Sequence, residues 1–83
     1  MSSWYVYIVR CADNSLYTGI TKDLVRRISE HNCNDKSGAW YTRWRRPVKL
    51  AYKEGYKTRS SAAKREYEIK QMNKKEKEAL LSV

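Results

Sequence analysis

The chain has 83 residues, with 18 Lys and Arg against 9 Asp and Glu and a formal charge of +9. At roughly 100–200 residues per domain, this length fits one domain over residues 1–83 with a modest core, and excludes a large enzyme with a separate cofactor-binding lobe. No apolar run approaches the ~20 residues of a membrane span, and no basic-then-apolar leader follows Met1, so the expectation is a soluble cytoplasmic protein with no membrane partner.

Trp4 to Arg10 (WYVYIVR) and Leu16 to Thr21 (LYTGIT) are dense in β-branched and aromatic residues. The polar cluster Ala12-Asp13-Asn14-Ser15 separates them, so the pair reads as a β-hairpin. Period-2 alternation puts Val6 and Ile8 on one face of the first strand, with Tyr5, Tyr7 and Val9 on the other. Turning Leu16, Thr18 and Ile20 to the same core as Val6 and Ile8 brings Tyr7 and Tyr17 together on the opposite face.

Thr21 or Asp23 can cap a helix from about Leu24 to His31. Leu24 and Ile28 form its apolar stripe, and Arg27 and His31, spaced i and i+4, stack on the edge of that stripe. Residues 32–38 read as a loop. Residues 39–47 (AWYTRWRRP) then interleave Trp40, Tyr41 and Trp44 with Arg43, Arg45 and Arg46. Val48 to Tyr52 is the expected third strand, closed by Gly55. Thr58 or Ser60 can cap a second helix reaching Gln71 or Met72, and residues 73–81 suit a short helix whose Ala79, Leu80 and Leu81 pack back. The order of elements implies an α+β fold, a three-stranded, mainly antiparallel sheet flanked by helices around one small core.

Two further features follow from this placement. On the second helix, Glu66 falls by helical angle between Ile69 and Ala63 on the apolar face, where a carboxylate is costly unless it is paired or holds a cation. A structural ion pair, for instance to Arg27, is the bland explanation; a metal site is the other. The charge is also lopsided: residues 1–42 hold five basic and four acidic residues, and residues 43–83 hold thirteen and five. Uncompensated positive charge suits a polyanion such as nucleic acid, although a solvated lysine-rich helix carries the same pattern. Cys11 and Cys33 make neither a disulfide framework nor a zinc site and read as small reduced hydrophobes.

Singly, a strand tyrosine, a helix-end histidine and a helical arginine are ordinary. Together, Tyr5-Val6-Tyr7, then Tyr17-Thr18-Gly19, then Arg27 and His31 on the next helix and Glu66 after a third strand resemble the GIY-YIG nuclease family. The likeness spans about residues 4–75, and the stretch 38–48 is similar to the small stand-alone bacterial members. Tyr5 stands where the first triplet of the family has glycine, and Asn73 is the candidate for a late asparagine that many members carry.

The resemblance implies a metal-dependent endonuclease that hydrolyses phosphodiester bonds in DNA during repair, recombination or processing. It implies one divalent cation, Mg2+ or Mn2+, held by Glu66 as metal ligand. Tyr7 would be the general base, with Tyr17 orienting the water or replacing it. A base of this type needs nearby positive charge from Arg27, Lys22 and the metal, because tyrosine ordinarily titrates near ~10. Arg27 would hold the phosphate, His31 would orient the tyrosine or a water, and Gly19 would let a phosphate approach the backbone. Lys22, Arg26, Trp40, Tyr41, Arg43, Trp44, Arg45 and Arg46 are the candidates for gripping nucleic acid, arginines on phosphates and aromatics on bases. Trp40 and Trp44 as core cover is the competing use. RNA and branched substrates stay open, as do a protein partner that supplies targeting and a monomer or weak dimer. The competing classes are a non-catalytic nucleic-acid-binding module and an interaction subunit whose basic helices dock an acidic protein.

Overall fold

The structure is a computed structural model that describes residues 3–33 and 45–81. The elements run β1 (Trp4–Arg10), β2 (Leu16–Thr21), α1 (Leu24–Cys33), β3 (Lys49–Tyr56), α2 (Arg59–Lys70) and α3 (Lys74–Leu81). The strands form one antiparallel sheet in the order β2-β1-β3, flanked by the helices, as the α+β reading expects.

The hairpin closes through a backbone bond from Cys11 N–H to Ser15 C=O at 2.8 Å and another from Asn14 N–H to Cys11 C=O at 2.9 Å. Asn14 adopts φ 69°, the left-handed region that asparagine tolerates, while the Asp13 carboxylate accepts from the Ser15 N–H at 3.0 Å. Each helix begins where a side chain satisfies an orphan N–H. Asp23 accepts from Arg26 N–H at 3.1 Å and Thr58 from Ser61 N–H at 3.1 Å. Asn73 accepts from Glu76 N–H at 2.8 Å, and the Glu76 carboxylate reaches back to Asn73 N–H at 3.3 Å. Asn73, the candidate for the late family asparagine, is therefore occupied as a helix cap.

There are two cores, where the alternation pattern suggests one. β1 is the central strand, so both of its faces are covered: Val6, Ile8 and Val9 have no exposed surface and Tyr7 has 1%. Val6 and Ile8 pack with Ala62 and Ile69 of α2, and Met72, Leu80 and Leu81 close that side. Ala79 is exposed. Tyr7 and Val9 pack with Cys11 and Val48 on the opposite face, against Tyr17 and the α1 residues Leu24 and Ile28. Cys11 is a free, buried thiol, as its composition suggests.

β3 is longer than the expected 48–52. It runs through Gly55, which pairs with Tyr5, to Tyr56 opposite Trp4. Glycine's poor fit to a strand is overridden by the ladder to β1 and by Glu54. That carboxylate accepts from Tyr56 at 2.6 Å, from Tyr52, and from Arg65 of α2 at 3.0 Å, which ties the strand to the helix above it. At the other end Arg10 of β1 forms a two-pronged ion pair with Glu78 of α3. No described helix is long and apolar enough to cross a membrane.

Candidate active site

The antiparallel register places Tyr7 of β1 directly opposite Gly19 of β2. The Tyr7 phenol lies across this glycine. A Cβ built at position 19 would sit 2.5 Å from the Tyr7 hydroxyl and 2.8 Å from its ring carbon. Gly19 therefore makes room for the Tyr7 side chain, a use that the resemblance did not imply.

The phenol ends in a polar cluster supplied by α1. Its hydroxyl is 2.9 Å from His31 Nε2, and the Arg27 guanidinium is near enough to act on its proton affinity. Arg27 is held on its other side by Glu30 at 3.2 Å, a pairing that the i, i+3 spacing makes available on any helix. Tyr17 completes the enclosure, its ring edge-on to His31 at 5.4 Å. Tyr7, Tyr17, Arg27 and His31 thus meet as their spacing suggests, and Glu30 is an additional member.

Burial sets the proton affinities. His31 is fully enclosed, and burial together with the positive charge of Arg27 pulls its pKa down from 6.5 to about 4, against the opposing pull of Glu30. The imidazole is neutral at pH 7. Burial raises the Tyr7 pKa; the neighbouring Arg27 guanidinium works against that rise without cancelling it. Burial also disfavours the charge on Arg27, but the Tyr7 and Glu30 oxygens outweigh it and hold the guanidinium above its ordinary value.

Glu66 approaches from α2. It is partly buried, with 23% of its side chain exposed, and its partner is Lys70 at 3.3 Å on the same helix rather than Arg27. Its carboxylate is near enough to Tyr7 to add a small upward push on the tyrosine's pKa. Among the described residues no group of three or more His, Cys, Asp or Glu could share a metal. A cation here would rest on one carboxylate. Glu66 fits that demand as a partly buried carboxylate whose described partner is the half-exposed Lys70. A hard ion that keeps most of its waters suits such a site.

The nucleic-acid candidates are dispersed. Lys22 lies over the Trp4 ring at 5.2 Å, and Arg26 is exposed with its guanidinium 3.5 Å from Glu30. Arg45 pairs with Asp13 at 3.0 Å. Arg46 donates to the backbone carbonyl of His31, and Asn32 brackets Val48 with bonds of 3.0 and 2.7 Å. Those contacts staple the segment before β3 to the end of α1. Trp40, Tyr41, Arg43 and Trp44 lie outside the described residues.

A hairpin presenting two tyrosines and a glycine, an Arg and His one helical turn apart, and a glutamate on the helix after the third strand define one class of domain. The chain belongs to the GIY-YIG catalytic domain family, which matches residues 3–79. It is 57% identical to UPF0213 protein DP2720 of Desulfotalea psychrophila over 79 residues, 95% of this chain and 71% of that one. It is 51% identical to UPF0213 protein SSP2268 of Staphylococcus saprophyticus over 82 residues, 99% of this chain and 98% of that one. Two solution NMR structures are similar: EF2693 of E. faecalis (TM-score 0.65, 42% identity, 99% of this chain and 85% of that one) and UPF0213 protein BH0048 of Bacillus halodurans (TM-score 0.60, 42% identity, 95% and 82%).

Proposed function

We propose that this chain, acting as one domain, is a metal-dependent endonuclease that hydrolyses phosphodiester bonds in DNA. Membership of a nuclease family supports the reaction class. The observation that carries the proposal for this chain is the Arg27–Tyr7–His31 cluster, a hydroxyl hydrogen-bonded to a neutral imidazole with a guanidinium beside them.

In this reading Nε2 is the unprotonated nitrogen of the neutral imidazole, so the Tyr7 O–H donates to it while the positive Arg27 faces the phenol oxygen. A water placed against Tyr7 then loses its proton to the phenol oxygen as the phenol proton passes to His31 Nε2, 2.9 Å away. The imidazolium that forms is buried beside Arg27, and the negative phosphate arriving at Arg27 offsets that cost. Arg27, oriented by Glu30, binds the phosphate with its planar fork. Tyr17 keeps His31 in place from the side. Glu66 would hold Mg2+ or Mn2+, which when bound polarises the phosphate and stabilises the leaving oxygen.

The test is a cleavage panel of supercoiled, branched, flapped and single-stranded DNA, with and without Mg2+ or Mn2+. The proposal expects nicked or cut products that depend on the metal and vanish in EDTA. Salt-sensitive binding in EDTA with no cleavage under any condition would leave a non-catalytic binding module instead.

A further inference from the structure

Trp4 carries two cations on its ring. Lys22 Nζ lies 5.2 Å from the indole centroid and the Arg59 guanidinium 5.8 Å from it. Both side chains are exposed, and among the described residues neither has a carboxylate within ion-pair distance. The other described arginines differ. Arg10 pairs with Glu78, Arg26 and Arg27 with Glu30, Arg45 with Asp13 and Arg65 with Glu54, while Arg46 donates to a backbone carbonyl. Among the described residues, acids stand against five arginines, whereas Arg59 shares an aromatic ring with a lysine. Two uncompensated cations at one ring raise the local positive potential, which favours an anion.

The cluster has a definite relation to the Tyr7 and Glu66 pair. Arg59 and Glu66 are seven residues apart on α2, so they share a helix face two turns apart, about 10 Å at 1.5 Å per residue. Trp4 precedes Tyr7 by three residues on β1, so their side chains leave opposite faces of that strand, and α2 is the element that sets the spacing.

We propose that Trp4, Lys22 and Arg59 form a second phosphate-binding subsite, which holds the backbone of a nucleic-acid strand two helical turns along α2 from Glu66. The position of that second phosphate rests on the nuclease proposal; the binding chemistry does not. Trp4 holds both cations at its ring, and Lys22 and Arg59 supply the charge.

The experiment measures binding of a fluorescein-labelled duplex by anisotropy in EDTA, across a salt series. It compares the wild type, the double variant Lys22→Ala/Arg59→Ala, and a charge-matched control, Lys64→Ala/Lys75→Ala. Each lost phosphate contact lowers the slope of log K against log salt by about 0.9, so the double variant should lose about 1.8 and the control much less. Far-UV circular dichroism confirms that each variant is folded. The subsite is overturned by a slope unchanged from wild type, by an equal loss in the control, or by a polyglutamate competitor that displaces the duplex as well as unlabelled DNA does. Cleavage is not part of this readout. A lost slope in a protein that cuts nothing keeps the subsite and ends the nuclease proposal; cutting with an intact slope does the reverse.

Discussion

Replacing His31 by glutamine should change how stability depends on pH. The imidazole has no exposed surface, and its pKa in the folded chain is about 4, where the ordinary value is 6.5. A base that resists protonation when folded is protonated first in the unfolded chain. Unfolding therefore takes up a proton as the pH falls, so the stability is fully present above pH 6.5 and is lost between 6.5 and about 4. At about 1.4 kcal/mol per pH unit, the gap between 6.5 and about 4 amounts to ~3 kcal/mol. That is a large share of the roughly 5–15 kcal/mol that holds a small domain together. Urea denaturation of wild type and His31→Gln at half-unit intervals from pH 7.5 to 4.5 measures it. The glutamine variant is expected to be weaker at pH 7 through lost packing, yet flatter with pH. Asp13, Glu54 and Glu78, whose pKa values are lowered by their hydrogen bonds, titrate in both proteins and cancel in the comparison. Parallel pH curves for the two proteins would refute the neutral, buried histidine and the proton relay built on it.

Other variants probe other parts of the site. Gly19→Ala puts a methyl group into the Tyr7 ring; it should cost about 1–3 kcal/mol in denaturant titration and displace the phenol enough to impair cleavage. Wild-type stability and activity in that variant would contradict the packing described. Tyr7→Phe keeps the ring and removes only the hydroxyl, so duplex affinity in EDTA should hold while the cleavage rate falls about 10²–10⁴-fold; a wild-type rate would remove Tyr7 from the chemistry. Glu54→Gln should lower the midpoint of thermal unfolding and bring the Tyr56 titration, raised to about 12 by its hydrogen bond to Glu54, back toward 10 in ultraviolet absorbance. An unchanged tyrosine titration would mean that the Glu54 hub does not form in solution.

The parts of this protein that are legible in its sequence are the local ones. The hairpin, the caps at Asp23, Thr58 and Asn73, and the meeting of Tyr7 with Tyr17, Arg27 and His31 follow from alternation, helical spacing and short polar side chains. Interactions between distant segments were not legible. Strand alternation cannot show that β1 is central, so two cores read as one. The extension of β3 through Gly55 depends on pairing with Tyr5, fifty residues earlier. Glu66 sits on the expected helix, but its partner is its own i+4 lysine, a pair that spacing alone could have supplied. Arg45 and Arg46 stand in a basic run that resembles a nucleic-acid grip, and only the folded chain shows Asp13 and the His31 carbonyl as their partners. Lys22 was legible as a cation, whereas its company with Arg59 on Trp4 was not.

The most direct test of the central claim compares Glu66→Ala with the wild type on one DNA substrate, measuring cleavage in Mg2+ and binding in EDTA side by side. The account predicts a folded variant that binds DNA with nearly wild-type affinity and makes no metal-dependent product. A Glu66→Ala protein that cuts as fast as wild type would contradict it.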